Sequence, residues 1–69
     1  MYEFKVEKKD DFLQGKKINY VARQVGMSES YLSNILNGKF KCSRKIAVSA
    51  CAVQQVELKE YFNEELKGE

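Results

Sequence analysis

The chain carries no histidine, so the usual general base near neutral pH is missing, and so is half of every Ser/His or Cys/His dyad. Ser28, Ser30, Ser33, Ser43 and Ser49 are the nucleophile candidates, and none has a base at a recognisable spacing. Half of the carboxylates sit in a Glu-rich tail, including Glu57, Glu60, Glu64 and Glu65, a pattern of solvated surface rather than of paired acids. An enzyme is not expected. Cys42 and Cys51 have no histidine to complete a zinc set. If Ser43 starts a helix, Cys51 lies roughly 12 Å up its axis at about 1.5 Å per residue. A disulfide tolerates a Cα separation of only about 7 Å. Both cysteines therefore read as small reduced packing residues. No metal, cofactor or small-molecule ligand is expected.

What remains is recognition by charge and hydrogen bonding. The net charge of +2 conceals an uneven distribution. Residues 1 to 45 hold ten Lys/Arg against five Asp/Glu, and residues 46 to 69 hold two Lys against five Glu. Between 16 and 45, Lys16, Lys17, Arg23, Lys39, Lys41, Arg44 and Lys45 stand against Glu29 alone. One half of the chain is suited to a polyanion and the other is not.

A chain of 69 residues forms one small domain. It buries about 60% of its unfolded surface, and its core supplies roughly 3–5 kcal/mol, which leaves little room for a deep catalytic pocket. No apolar run approaches the ~20 residues of a membrane span. Met1 to Lys9 alternates charged with apolar residues where a signal peptide needs an apolar block, so a cytoplasmic protein is expected.

The elements that must position the polar residues follow from periodicity. Tyr2, Phe4 and Val6 alternate with charges, as in a half-buried strand, and the only other extended candidate to pair with it is the tail after Phe62. Asp10 or Asp11 is placed to cap a helix of a turn or two that holds Phe12 and Leu13 and ends at Gly15. Ile18, Val21, Ala22 and Val25 fall at i, i+3, i+4 and i+7, with Asn19, Arg23 and Gln24 facing outward. Gly26 follows as a left-handed turn, and Ser28 caps a second helix that buries Leu32, Ile35 and part of Leu36. Asn37-Gly38 ends it. Ser43 caps a third helix with Ile46, Ala47, Ala50, Cys51 and Val53 as its apolar face. Val56, Leu58, Tyr61 and Phe62 read as a short final helix or turn that pins the C-terminus.

Two helices joined by about three residues containing a glycine have the length and chemistry of a helix-turn-helix, here over residues 18–37. Ala22 allows a close crossing, and Met27, Leu32 and Ile35 supply the shared core. A non-binding bundle has the same local pattern. The run Val21-Ala22-Arg23-Gln24-Val25-Gly26-Met27-Ser28, continuing through Tyr31-Leu32-Ser33-Asn34-Ile35-Leu36-Asn37-Gly38-Lys39, resembles the Cro-like and lambda-repressor-like helix-turn-helix proteins of phages and bacteria. Phe12-Leu13, Lys41-Cys42-Ser43 and Glu60-Tyr61-Phe62 extend the likeness to small transcriptional regulators of phages of Gram-positive bacteria.

The resemblance implies a mainly α fold of four to five helices, to which the alternation at Tyr2, Phe4 and Val6 adds a short N-terminal strand with the C-terminal tail as its candidate partner. It implies a recognition helix at about 28–36 lying in the major groove of an operator. Glu29, Ser30, Ser33 and Asn34 would face base edges, since Asn pairs bidentately with adenine, Ser donates or accepts, and Glu accepts from cytosine N4. Phosphates would meet Asn19, Ser28, Tyr31, Asn37, Lys39, Lys41 and Arg44, together with the Gly38 and Lys39 backbone. Tyr31 is equally readable as a half-buried ring. Ile18 stands where such proteins often carry a phosphate-bracing Gln, so that brace is either absent or moved to Asn19. Glu29 stands where Gln is common, and would read a cytosine, pair with Arg23 or Lys45, or weaken non-specific binding. The expected partner is a double-stranded operator, bound by two copies whose association is weak or DNA-induced. The alternative is a protein-interaction module, an antirepressor or adaptor, that keeps the helix-turn-helix shape and uses the acidic tail as its partner surface.

Overall fold

The computed structural model describes residues 1–64 and is mainly helical. Its elements are β1 (Tyr2–Phe4), a 3-10 turn (Val6–Lys8), α1 (Lys9–Leu13), α2 (Ile18–Val25), α3 (Glu29–Leu36), α4 (Arg44–Gln54), α5 (Leu58–Tyr61) and β2 (Phe62–Glu64). The expected strand pairing is present, with β1 and β2 antiparallel and Phe4 opposite Phe62, Glu3 opposite Asn63 and Tyr2 opposite Glu64. The other edge of β1 is partly covered as well. Tyr2 N–H donates to the Cys42 carbonyl at 2.7 Å, and Cys42 N–H returns to the Tyr2 carbonyl at 2.9 Å. Glu65, part of the acidic tail, lies outside the described residues.

The strand is shorter than its alternation suggests. Val6 leaves the sheet, because the Lys8 N–H donates to the Lys5 carbonyl and winds the chain into the 3-10 turn, and its side chain is 46% exposed. The start and end of α1 also differ from expectation. Asp10 and Asp11 lie inside its first turn, the N-cap is Lys8 with no side-chain cap, and the left-handed C-cap is Gln14 (φ 54°), followed by Gly15 (φ 78°). Asp11 is used elsewhere, accepting the Tyr61 phenol hydrogen at 2.7 Å.

A buried Gln54 side chain makes the non-glycine turn at Gln14 tolerable. It is 3% exposed and donates through Nε2 to the Phe12 carbonyl at 2.7 Å and the Leu13 carbonyl at 3.3 Å. The Gln14 amide donates in return to the Gln54 carbonyl at 2.9 Å. The orphan carbonyls that end a helix are thus satisfied from 42 residues away.

The core joins three sources. Val21 and Ala22 come from α2, Leu32, Ile35 and a fully buried Leu36 from α3, and Ala47, Ala50 and Cys51 from α4. Ile18, Val25, Met27 and Ile46 pack at its margin. The small side chains at 22, 47 and 50 leave room for α2 to approach α3 and α4 closely. An aromatic cluster of Phe4, Phe12, Tyr61 and Phe62, with centroids 5.2 to 6.5 Å apart, locks the two chain ends onto α1. This second half of the core holds the N-terminal strand beside α3.

Candidate functional site

The polar residues of α3 are fixed by local chemistry at both ends. The Gly26 left-handed cap (φ 93°) gives its N–H to the Ala22 carbonyl at 2.8 Å, and Met27 N–H goes to the same carbonyl at 3.0 Å. The chain then reverses into Ser28, whose Oγ accepts the Tyr31 N–H at 3.1 Å. That bond leaves the Ser28 hydroxyl hydrogen free to donate outward. Glu29 lies in the first turn, where the helix dipole favours a carboxylate.

At about 100° per residue, Glu29, Ser33, Ser30 and Asn34 fall within an arc of roughly 140°, opposite the buried Leu32 and Ile35. Glu29 and Ser30 are exposed, while Ser33 and Asn34 are half-buried. The four expected base-facing residues therefore share one face. Among the described residues Glu29 forms no ion pair, so neither Arg23 nor Lys45 neutralises it.

Asn37 follows one turn beyond Ser33 and is held by a residue that the sequence pattern did not single out. Lys9 Nζ donates to Asn37 Oδ1 at 2.9 Å, and Asn37 Nδ2 donates to Ser33 Oγ at 3.4 Å. With its oxygen accepting from Asn37, Ser33 retains a hydrogen to donate. The chain of contacts brings a cation from α1 to the end of α3. No local spacing announces a pair 28 residues apart.

Before and after α3 in the chain come cations and helix ends. The first turn of α2 has no side-chain cap at Lys17, and exposed Asn19 sits there after exposed Lys16 and Lys17. Uncapped N–H groups next to two lysines favour an anion. Past α3, the Gly38 and Lys39 N–H groups are not available to a phosphate, contrary to the sequence expectation. Gly38 donates to the Ile35 carbonyl at 3.1 Å and Lys39 to the Asn34 carbonyl at 2.9 Å, because these bonds close the end of the helix. Lys39 and Lys41, both exposed, lie on this loop, and exposed Arg44 follows the Ser43 cap, whose Oγ accepts the Ile46 N–H at 3.3 Å. Tyr31 is half-buried, with its ring centroid 6.0 Å from that of Phe40.

The two cysteines are buried free thiols. Burial pushes Cys51 up to about 11, with nearby Cys42 adding to the effect, and burial raises Cys42 despite an opposing pull from the N-terminal ammonium. Both are protonated and poorly nucleophilic near neutral pH, which suits packing. Among the described residues there is no group of three or more His, Cys, Asp or Glu able to hold a metal ion. Among those residues, too, no helix is long and apolar enough to cross a membrane.

The arrangement offers hydroxyl and amide groups on a rigid helix face, with positive charge before and after it. Such a set suits a surface that alternates anions with hydrogen-bonding edges. No protein-family model, curated protein or solved structure matches this chain.

Proposed function

We propose that the chain is a sequence-specific double-stranded DNA-binding regulator that places α3 in the major groove. The observation that carries this reading is the polar face of α3. Ser30, Ser33 and Asn34 stand together on a helix capped by Ser28, and the cations from Lys39 to Lys45 follow with no carboxylate between Glu29 and Glu57. Side-chain amides and hydroxyls are the groups that discriminate base edges, and Lys and Arg are those that neutralise phosphates.

In this reading Asn34 pairs with a purine edge. Ser33, its oxygen already accepting from Asn37, acts as a donor to an acceptor such as guanine N7 or O6, or thymine O4. Glu29 accepts from cytosine or lowers affinity for other sequences by repelling phosphate. Ser28, Asn19, Tyr31, Lys39, Lys41, Arg44 and, through Asn37, Lys9 form the phosphate-facing rim. The regulator acts in the cytoplasm as a phage or prophage switch of the Cro or repressor type. One 69-residue copy reads few bases, so two copies bind a two-fold site about one helical turn apart.

Selection of bound sequences from a random duplex pool, followed by equilibrium binding across a salt series, tests this. A two-fold consensus is expected. Neutralising about 4–6 phosphates per copy lowers affinity roughly 10²–10³-fold between about 50 and 200 mM salt. Absence of any enriched site, or a flat salt response, refutes the reading and favours a protein partner.

A further inference from the structure

Three of the four phenylalanines, Phe4, Phe12 and Phe62, are at most 4% exposed, whereas Phe40 is 46% exposed. Phe40 is not loose. Its own N–H and that of Lys39 both donate to the Asn34 carbonyl, at 3.3 and 2.9 Å, so the loop is fastened to the last turn of α3. Two residues later Cys42 is buried and doubly hydrogen-bonded to Tyr2. The ring leans on Tyr31 at a centroid distance of 6.0 Å and a tilt of 46°. An aromatic ring is therefore held out towards solvent between two anchors, beside the polar face of α3. Lys39 precedes it, Lys41 follows it, and Arg44 and Lys45 come next.

We propose that Phe40 is a DNA-contacting residue that packs its ring against a deoxyribose of the backbone, at the edge of the groove that α3 enters. The inference rests on the DNA-binding reading above and adds a non-ionic contact to it. A nucleic-acid backbone alternates phosphates with apolar C–H faces of sugar, and a loop that sets the Phe40 ring directly after exposed Lys39 presents the matching groups at adjacent positions. An acidic protein surface would match the lysines but offers no regular apolar element beside each charge. The Tyr31 ring supports Phe40 from the protein side, and the Asn34 carbonyl ties the contact to a base-reading position. The backbone contact and the base contact are then set by one rigid unit. Phe40 makes affinity for the cognate site depend on α3 being correctly seated.

The test uses the full chain and the site recovered by selection. Phe40→Ala should bind that site about tenfold more weakly at every salt concentration, the ratio expected for losing burial of half a Phe side chain. The slope of log affinity against log salt should not change, since no cation is lost. Lys39→Ala should instead flatten the slope by about 0.9. Phe40→Ala loses the packing of its ring on Tyr31 and should melt a few degrees lower, so binding is compared at a temperature where both proteins are fully folded, which separates a lost contact from a lost fold. The chain has no tryptophan, so Phe40→Trp adds a single reporter whose emission should shift to the blue or quench as the site saturates. If the parent binds its site with a salt slope while Phe40→Ala binds equally well and Phe40→Trp emission is unmoved, the Phe40 inference falls and the DNA reading stands. If the parent shows no site preference, both fall.

Discussion

Replacing Gln54 with Leu keeps the volume of a buried side chain and removes one set of hydrogen bonds. The Phe12 carbonyl, buried under the aromatic cluster, loses its 2.7 Å partner, while the Leu13 carbonyl keeps the Lys16 N–H at 2.9 Å. One buried acceptor is thus stranded, which costs about 1–3 kcal/mol. With Phe12 fully buried the cost lies at the upper end of that range, and the Leu side chain recovers part of it through apolar burial, so a net loss of about 2 kcal/mol is expected. Against a total of roughly 3–5 kcal/mol, that is a large fraction. For a domain of this size it corresponds to a fall in Tm of about 8–16 °C. Thermal unfolding followed by far-UV circular dichroism, with urea titration for the free energy, measures both. Gln54→Glu also loses the donor to the Phe12 carbonyl and places a second acceptor there, but Lys16 Nζ, 3.4 Å from Gln54 Oε1, offsets part of the cost of the new charge, so a loss of stability relative to the parent is expected. A Tm for Gln54→Leu within about 3 °C of the parent would refute the idea that Gln54 completes α1.

Two further predictions concern stability. Gly38 has φ 81°, and a Cβ there would meet Val6 Cγ2 at 2.9 Å, so Gly38→Ala combines backbone strain with a side-chain collision. A loss of about 1–2 kcal/mol is expected by urea titration; adding Val6→Ala should return only the collision part and leave about 1 kcal/mol of strain. The Tyr61 phenol is held above its ordinary value chiefly by its hydrogen bond to Asp11, with burial next. A raised folded-state value stabilises the fold fully below the unfolded phenol value near 10 and loses that contribution as pH rises through the folded value. The parent should therefore lose stability in the alkaline range above about pH 10, and Tyr61→Phe should lose less across the same interval. An identical alkaline decline in both proteins would show that Tyr61 ionisation does not report on folding.

Features set within four residues were legible in the sequence. Gly26 turns the chain where the apolar stripe of α2 stops, and Ser28 and Ser43 each accept the N–H three residues on. The pairing of β1 with β2 was also legible, because Tyr2 and Phe4 alternate with charges and the tail after Phe62 was the only other extended segment. Where the outcome depends on distant groups, local pattern fails. Val6 continues the alternation, yet the chain coils at Lys5 because of the Lys8 bond. Gln14, not Gly15, takes the helix-ending conformation because Gln54 arrives from another helix to cap α1. On the candidate site, the resemblance picked out Glu29, Ser30, Ser33 and Asn34, and the single helix α3 brings them to one face. It could not reveal that Lys9 holds Asn37, that the Gly38 and Lys39 N–H groups are consumed, or that Phe40 stays outside the core.

The most direct test of the central claim is equilibrium binding of the full chain to its selected site and to a shuffled duplex of equal length over a salt series, repeated with Ser30, Ser33 and Asn34 all changed to Ala. The parent should prefer its site, and the triple variant should lose the preference while keeping the salt slope, because the lysines and Arg44 are untouched. Equal preference in the two proteins, or none in the parent, would contradict the assignment of the α3 face to reading DNA.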